Sequence, residues 1–114
     1  MPHFVLDCSA EILDIHAEED IIAQIHLVAF STKLFNEGDI KVRLNPYKQY
    51  LVGNKKAHFI HVFANILEGR TVAQKADLSK RVVQKLAAMF PHVANIAMNV
   101  REFEKATYCN RNMI

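Results

Sequence analysis

A chain of 114 residues with a formal charge of +2 and 51% hydrophobic side chains fits one domain, residues 1–114, and is apolar for its size. Fourteen basic against twelve acidic residues leave no concentrated basic face, so nucleic acid is not an expected partner. No window reaches the roughly 18 consecutive apolar residues of a membrane span.

Two cysteines, Cys8 and Cys109, make neither a disulfide framework nor a metal-ligand pair. The opening lacks a basic segment followed by a long apolar stretch, so the expected location is the cytoplasm, with thiols reduced. A chain this short buries only about two-thirds of the surface its unfolded form exposes. Its surplus apolar residues are therefore expected in a subunit interface.

Pro2 to Ser9 is short, apolar and partly β-branched, and reads as a strand. Asp14 to about Phe35 reads as a helix, with Ile21, Ile25, Val28 and Ala29 forming one apolar stripe. Glu18, Glu19 and Asp20 lie in its early turns, where carboxylates favour the positive end of the helix dipole. Asp39 to Leu44 alternates polar and apolar as a half-buried strand does, and Asn45-Pro46-Tyr47 ends it. A hairpin arm around Tyr50-Leu51-Val52 turns at Gly53-Asn54. Ala57 to Leu67 reads as a longer strand.

Glu68-Gly69-Arg70-Thr71 forms the next turn. Thr71 and Gln74 match a capping box opening a second helix, whose expected buried stripe is Val72, Ala76, Ser79, Val83, Leu86 and Phe90. Pro91 stops it. Asn95 to Phe103 is a last strand, and the aperiodic tail 104–114 is expected to dock on a neighbour.

The order is strand, helix, strand, twice over. Pro2-His3-Phe4-Val5 matches Ala57-His58-Phe59-Ile60 at an offset of about 55 residues, which divides the chain into repeats of about 2–55 and 57–103. Each βαβ unit demands a parallel strand pair. The expected fold is α+β: duplicated β-α-β units forming a four-stranded mixed sheet with two helices on one face. The other face then calls for a partner to cover it.

His58 and His61 differ by three along a strand and point to opposite faces, so they make no simple metal pair. Zinc needs three or four convergent ligands, and no such spacing occurs. Gly-rich phosphate loops, Gly-x-Ser-x-Gly elbows and Cys-x-x-Cys pairs are also missing. Cys8, inside a strand, reads as a small buried hydrophobe.

The opening Met1-Pro2-His3-Phe4-Val5-Leu6-Asp7-Cys8-Ser9 resembles the start of 5-carboxymethyl-2-hydroxymuconate isomerases, a branch of the tautomerase superfamily. The run from Phe59 to Thr71 resembles that family's second-half strand and its Gly-Arg-Ser/Thr turn. The resemblance implies a homotrimer, removal of the initiator methionine and a free secondary amine on Pro2 that shuttles a proton. It implies an enol di- or tricarboxylate as substrate, in bacterial homoprotocatechuate catabolism, with no metal and no cofactor. Arg70 and Arg43 would hold its carboxylates. Lys41 stands where the family tends to have arginine and keeps the charge without the bidentate fork. His61 matches a histidine common in the family, in a supporting or packing role.

The chemistry is coherent with these residues. An α-amino group titrates near 7.7–8.0, and burial or neighbouring cations lower that value toward a neutral base at physiological pH. Arg70 just precedes a helix start, where backbone N–H groups and the dipole assist anion binding. Two other readings fit the same sequence: a superfamily enzyme acting on a different unsaturated keto or enol acid, and a trimeric interaction protein without catalysis.

Overall fold

The computed structural model describes residues 1–114. Four strands, β1 (His3–Ser9), β2 (Lys41–Tyr47), β3 (Phe59–Leu67) and β4 (Asn95–Phe103), and two helices, α1 (Glu18–Ser31) and α2 (Val72–Met89), alternate along the chain. The sheet order is β2-β1-β3-β4. β1 pairs parallel with β2, β3 pairs parallel with β4, and the two βαβ units meet at an antiparallel β1–β3 seam. The expected four-stranded mixed sheet is thus observed, with α1 and α2 packed on each other and against the sheet.

Alternation along the central strands decides what is inside. Phe4, Leu6 and Cys8 of β1 and Ile60, Val62, Ala64 and Ile66 of β3 are buried under the helices, while their neighbours face the other way and stay half-exposed. Ile21, Ile25 and Ala29 of α1 complete one half of the core as the stripe predicts. Successive strand side chains point to opposite faces. Phe4, Leu6 and Cys8 therefore correspond to Ile60, Val62 and Ala64, an offset of 56 residues rather than the 55 suggested by the His-Phe dipeptides. A one-residue slip exchanges the faces of a strand. It follows that His3 and His58 are not equivalent: His3 lies within β1 on the open face, whereas His58 precedes β3, with its Nδ1 3.3 Å from the Ser9 hydroxyl.

The same correction applies to α2. Its buried stripe is Leu78, Val82 and Leu86, followed by Phe90 beyond the helix, whereas Val72 is 78% exposed and Ala76 is exposed too. The expected stripe ran one face away over the first two turns: Val72, Ala76 and Ser79 border a surface groove with Val100 of β4 instead of entering the core. The capping box is present: the Thr71 hydroxyl accepts from Gln74 N at 3.1 Å and the Gln74 carbonyl oxygen accepts from Thr71 N at 2.9 Å. Helix α1 is shorter than expected. Ala10–Asp14 forms a 3-10 turn, an extended Ala17 restarts the chain, and the carboxylates of Glu18, Glu19 and Asp20 fill the first true turn.

Strand β2 runs further than expected. Asn45, Pro46 and Tyr47 continue the parallel register beside Asp7, Cys8 and Ser9, and Pro46 is tolerated because β2 is an edge strand with a free outer side. Gly53 and Asn54 both have positive φ, 55° and 64°, as a two-residue hairpin turn requires, and Val52 and Lys55 exchange two backbone hydrogen bonds across it. Tyr50 anchors the arm, its hydroxyl donating to the Glu11 carboxylate at 2.9 Å. The tail makes two 3-10 turns, Lys105–Thr107 and Arg111–Met113, against its own chain.

The corrected α2 stripe is checked by urea unfolding. Leu78→Ala should cost about 2–5 kcal/mol, as large-to-small core changes do, while Val72→Ala should stay within about 0.5 kcal/mol. Comparable losses at both positions would restore the original stripe.

Candidate active site

The β1–β3 register sets the place of the amino terminus. His3 lies opposite Asn65, so the residues ahead of β1 run beside the end of β3 and the Glu68-Gly69-Arg70 turn. Pro2 is buried there, and its carbonyl accepts from Lys41 N at 3.1 Å. A cavity of about 180 Å³ opens at this point, with Met1, Pro2, Phe35, Asp39 and Arg70 among its walls.

Arg70 is fixed rather than solvated. Its Nη2 donates to the Leu34 carbonyl at 2.8 Å and its Nη1 to the Leu67 carbonyl at 3.4 Å, while the guanidinium lies 5.1 Å from the centre of the Phe35 ring. These contacts use two of its five N–H donors, leaving three for an anion. The terminal amine, carried here by Met1, is held below its ordinary value. Burial is the main cause; the nearby charges of Arg70 and Lys41 act in the same direction and Asp39 opposes them. The cavity therefore shifts this amine toward its neutral form.

The other predicted residues stand apart from this cavity. The Lys41 ammonium donates to the Asp39 carbonyl at 2.9 Å and reaches the amine only through its charge. Arg43 is exposed on the open sheet face, its Nη1 3.1 Å from His3 Nδ1. Burial, then the charges of Arg43 and Lys41, lower the His3 pKa; since a guanidinium can only donate, His3 Nδ1 is the acceptor in this contact. His61 lies on the same open face, with its Nε2 2.6 Å from Asn99 Oδ1 and its ring 4.4 Å from that of Phe63. Pro2 and Arg70 are thus brought together, while Arg43 and His61 line the sheet face that the single chain leaves uncovered.

Two cavity residues, Asp39 and Lys33, and the tail residue Lys105 escaped the sequence reading. Asp39 read only as the start of a strand. Lys33, on the cavity wall, follows the Thr32 C-cap of α1 with φ 62°, the left-handed position usually given to glycine, where another residue costs roughly 1 kcal/mol. Lys105, in the tail, donates its backbone N–H to the Glu68 carboxylate at 3.0 Å. Tyr108 and Arg111 border a further cavity of about 540 Å³ together with Met1 and Asp39. The tail read as aperiodic because its residues are placed by these single contacts, which carry no period.

No three His, Cys, Asp or Glu side chains converge as metal ligands. Cys8 is fully buried, and burial followed by the charges of Asp7 and Glu18 pushes its thiol up to about 12. It is no nucleophile at neutral pH.

Two βαβ units joined side by side in one four-stranded mixed sheet, with both helices on one face, match the tautomerase-superfamily fold. A 5-carboxymethyl-2-hydroxymuconate isomerase from Deinococcus radiodurans R1 superimposes with a TM-score of 0.83 over 96% of this chain and 88% of that one, at 18% identity. The macrophage migration inhibitory factor of Trichinella spiralis gives a TM-score of 0.77 over 96% of both chains, at 11% identity. A fused 4-OT protein described as an asymmetric trimer gives 0.80 over 96% of this chain and 92% of that one, at 12% identity. By sequence, residues 2–114 match the 5-carboxymethyl-2-hydroxymuconate isomerase family. The chain belongs to that family, and with it to the isomerases of the tautomerase superfamily. No curated protein matches its sequence significantly.

Thiol labelling tests the assignment of Cys8. A thiol reagent at pH 8 should modify one cysteine per folded chain, the exposed Cys109, and two only after denaturation. Rapid labelling of both in the folded protein would contradict the burial of Cys8.

Proposed function

We propose that this protein is a cofactor-independent 5-carboxymethyl-2-hydroxymuconate isomerase that uses the Pro2 nitrogen as its base once Met1 is removed. The observation that carries the reading is the shared cavity of Pro2 and Arg70, where a buried nitrogen lies beside a cation with free donors. Before Met1 is removed the Pro2 nitrogen is an amide and has no basic lone pair; afterwards it is a secondary amine in the same partly buried surroundings, with Arg70 and Asp39 in the cavity wall.

In the reaction, the substrate's 2-hydroxyl proton passes to the Pro2 nitrogen while the O–C=C electrons shift to form the ketone. The same nitrogen then delivers a proton to carbon, leaving the isomer and the neutral base. Arg70 holds a carboxylate and offsets the negative charge that develops on oxygen, with its orientation already set by the Leu34 and Leu67 carbonyls. Arg43, on the open sheet face, would complete a carboxylate clamp where a neighbouring protomer meets this cavity. We place the active unit in a homotrimer; the surplus of apolar residues, the uncovered sheet face and the trimeric 4-OT relative support it. Aromatic catabolism in the cytoplasm suits this substrate.

Lys41 favours a second reading within the same superfamily. Its ammonium is engaged with the Asp39 carbonyl and lacks the fork that suits a carboxylate, which suits a different unsaturated keto or enol acid. Comparing rates on a panel of enols separates the two.

With protein confirmed to begin at Pro2, ultraviolet-monitored ketonisation of 5-carboxymethyl-2-hydroxymuconate should proceed well above the solvent rate. Pro2→Ala should lower kcat by about 100-fold or more, within the usual range of general base catalysis, without altering the oligomer mass. Activity within twofold of the parent would remove Pro2 from its role.

The pH profile carries a sign. A base must be neutral to act, so kcat/KM should rise with pH to a plateau whose midpoint lies below that of an ordinary α-amino group. The Asp39 carboxylate favours the protonated amine, so Asp39→Asn should move the midpoint lower, and Arg70→Ala should move it higher. Midpoints that move in the opposite directions would mean that the titrating group is not the amine in this cavity.

A further inference from the structure

The cavity beside Pro2 is small for its proposed substrate. Ligand sites usually enclose about 300–1,000 Å³, against about 180 Å³ here. It adjoins a groove of about 500 Å³, and Lys33, Leu34 and Arg70 line both. The far wall of the groove carries Glu68, Gly69 and Lys105. Three cations thus face one carboxylate. Neither the Lys33 nor the Lys105 ammonium has a carboxylate within salt-bridge distance; the four ion pairs of the chain involve other residues.

Two backbone features bring the lysines here. Lys33 occupies a left-handed position that glycine would fill without strain, φ 62°. On the other side, Gly69 has φ 123°, and the Lys105 ammonium lies 3.5 Å from where a Cβ on Gly69 would stand. A side chain at residue 69 would be strained by that φ, and its Cβ would lie in ordinary van der Waals contact with the ammonium. The Glu68 carboxylate is turned toward the tail, accepting the Lys105 backbone N–H at 3.0 Å. The tail cavity, by contrast, sets Arg111 against Asp39 and has no excess of positive charge.

We propose that this groove is a second carboxylate subsite, in which Lys33 and Lys105 hold the distal carboxylate of a polycarboxylate whose reacting end lies at Pro2 beside Arg70. The assignment of the reacting end rests on the isomerase reading above; the subsite itself is a statement about binding. Arg70 lies between the two compartments, so a substrate with two or three carboxylates spans them, while a monocarboxylate fills only the first. Lys33 and Lys105 are then specificity residues: they select for the number of negative charges and take no part in proton transfer.

Binding of a ligand that cannot isomerise separates this proposal from the catalytic one. Calorimetric titration of the protein with propane-1,2,3-tricarboxylate, and with butyrate as the monocarboxylate control, reads the subsite directly. The tricarboxylate should bind at least tenfold more tightly than butyrate. Lys33→Met and Lys105→Met should each weaken it about fivefold to twentyfold, and Lys105→Met, whose side chain lies outside the first cavity, should leave butyrate unchanged. Lys105→Arg should restore most of the affinity. Lys80→Met, on the exposed side of α2, should leave it unchanged and controls for loss of net charge. Equal affinities for the two ligands, or equal weakening by Lys80→Met and Lys105→Met, would overturn the subsite. Loss of turnover in Pro2→Ala with these affinities intact would uphold both proposals, whereas intact affinities without any turnover in the parent would overturn the isomerase reading alone.

Discussion

The antiparallel pairing of β1 with β3 is the constraint on which the rest of this molecule depends. It joins two βαβ units that share no other strand contact, and its register puts Phe4, Leu6 and Cys8 on the same face as Ile60, Val62 and Ala64. Both helices pack on that face. Because His3 lies opposite Asn65, the chain's beginning comes to rest beside the end of β3, sixty-odd residues away in sequence. A slip of one residue would turn the core outward and separate Pro2 from Arg70 in the same step.

The site inherits its electrostatics from that seam. An amine at the mouth of a partly buried cavity is disfavoured in its charged form by lost hydration, and two cations nearby add to the effect. Arg70 contributes while bound to backbone carbonyls of two different segments, the loop after α1 and the end of β3. Its orientation is therefore part of the fold, and little conformational entropy is lost when it meets an anion. Asp39 works against the cations, so the amine is tuned between opposing charges.

The open face of the sheet carries a different chemistry from the buried one. His3, Arg43, His61, Asn99 and Arg101 form a polar layer interleaved with Phe63 and Phe103. Such a layer is costly to bury unless its hydrogen bonds are met, and within the chain several already are. Any surface that covered this face would need polar groups to match it.

Much of this could be read from the residues in order. The two βαβ units, the capping box at Thr71, the turn at Gly53-Asn54 and the stripe of α1 all followed from local spacing, because these features depend on neighbours within a few positions. The motifs around Pro2 and Arg70 pointed to the family in the same way. Several features were decided only in three dimensions. The true offset of the repeats and the exposed first turns of α2 depend on which side of each element meets the core. The extension of β2 through Pro46 depends on its being an edge strand. The gathering of Lys33, Asp39, Lys105 and the tail around the amino terminus depends on strand register and on single hydrogen bonds between distant segments. Periodicity records which side of a helix or strand is apolar, and it holds no information about which distant residue will lie across from it.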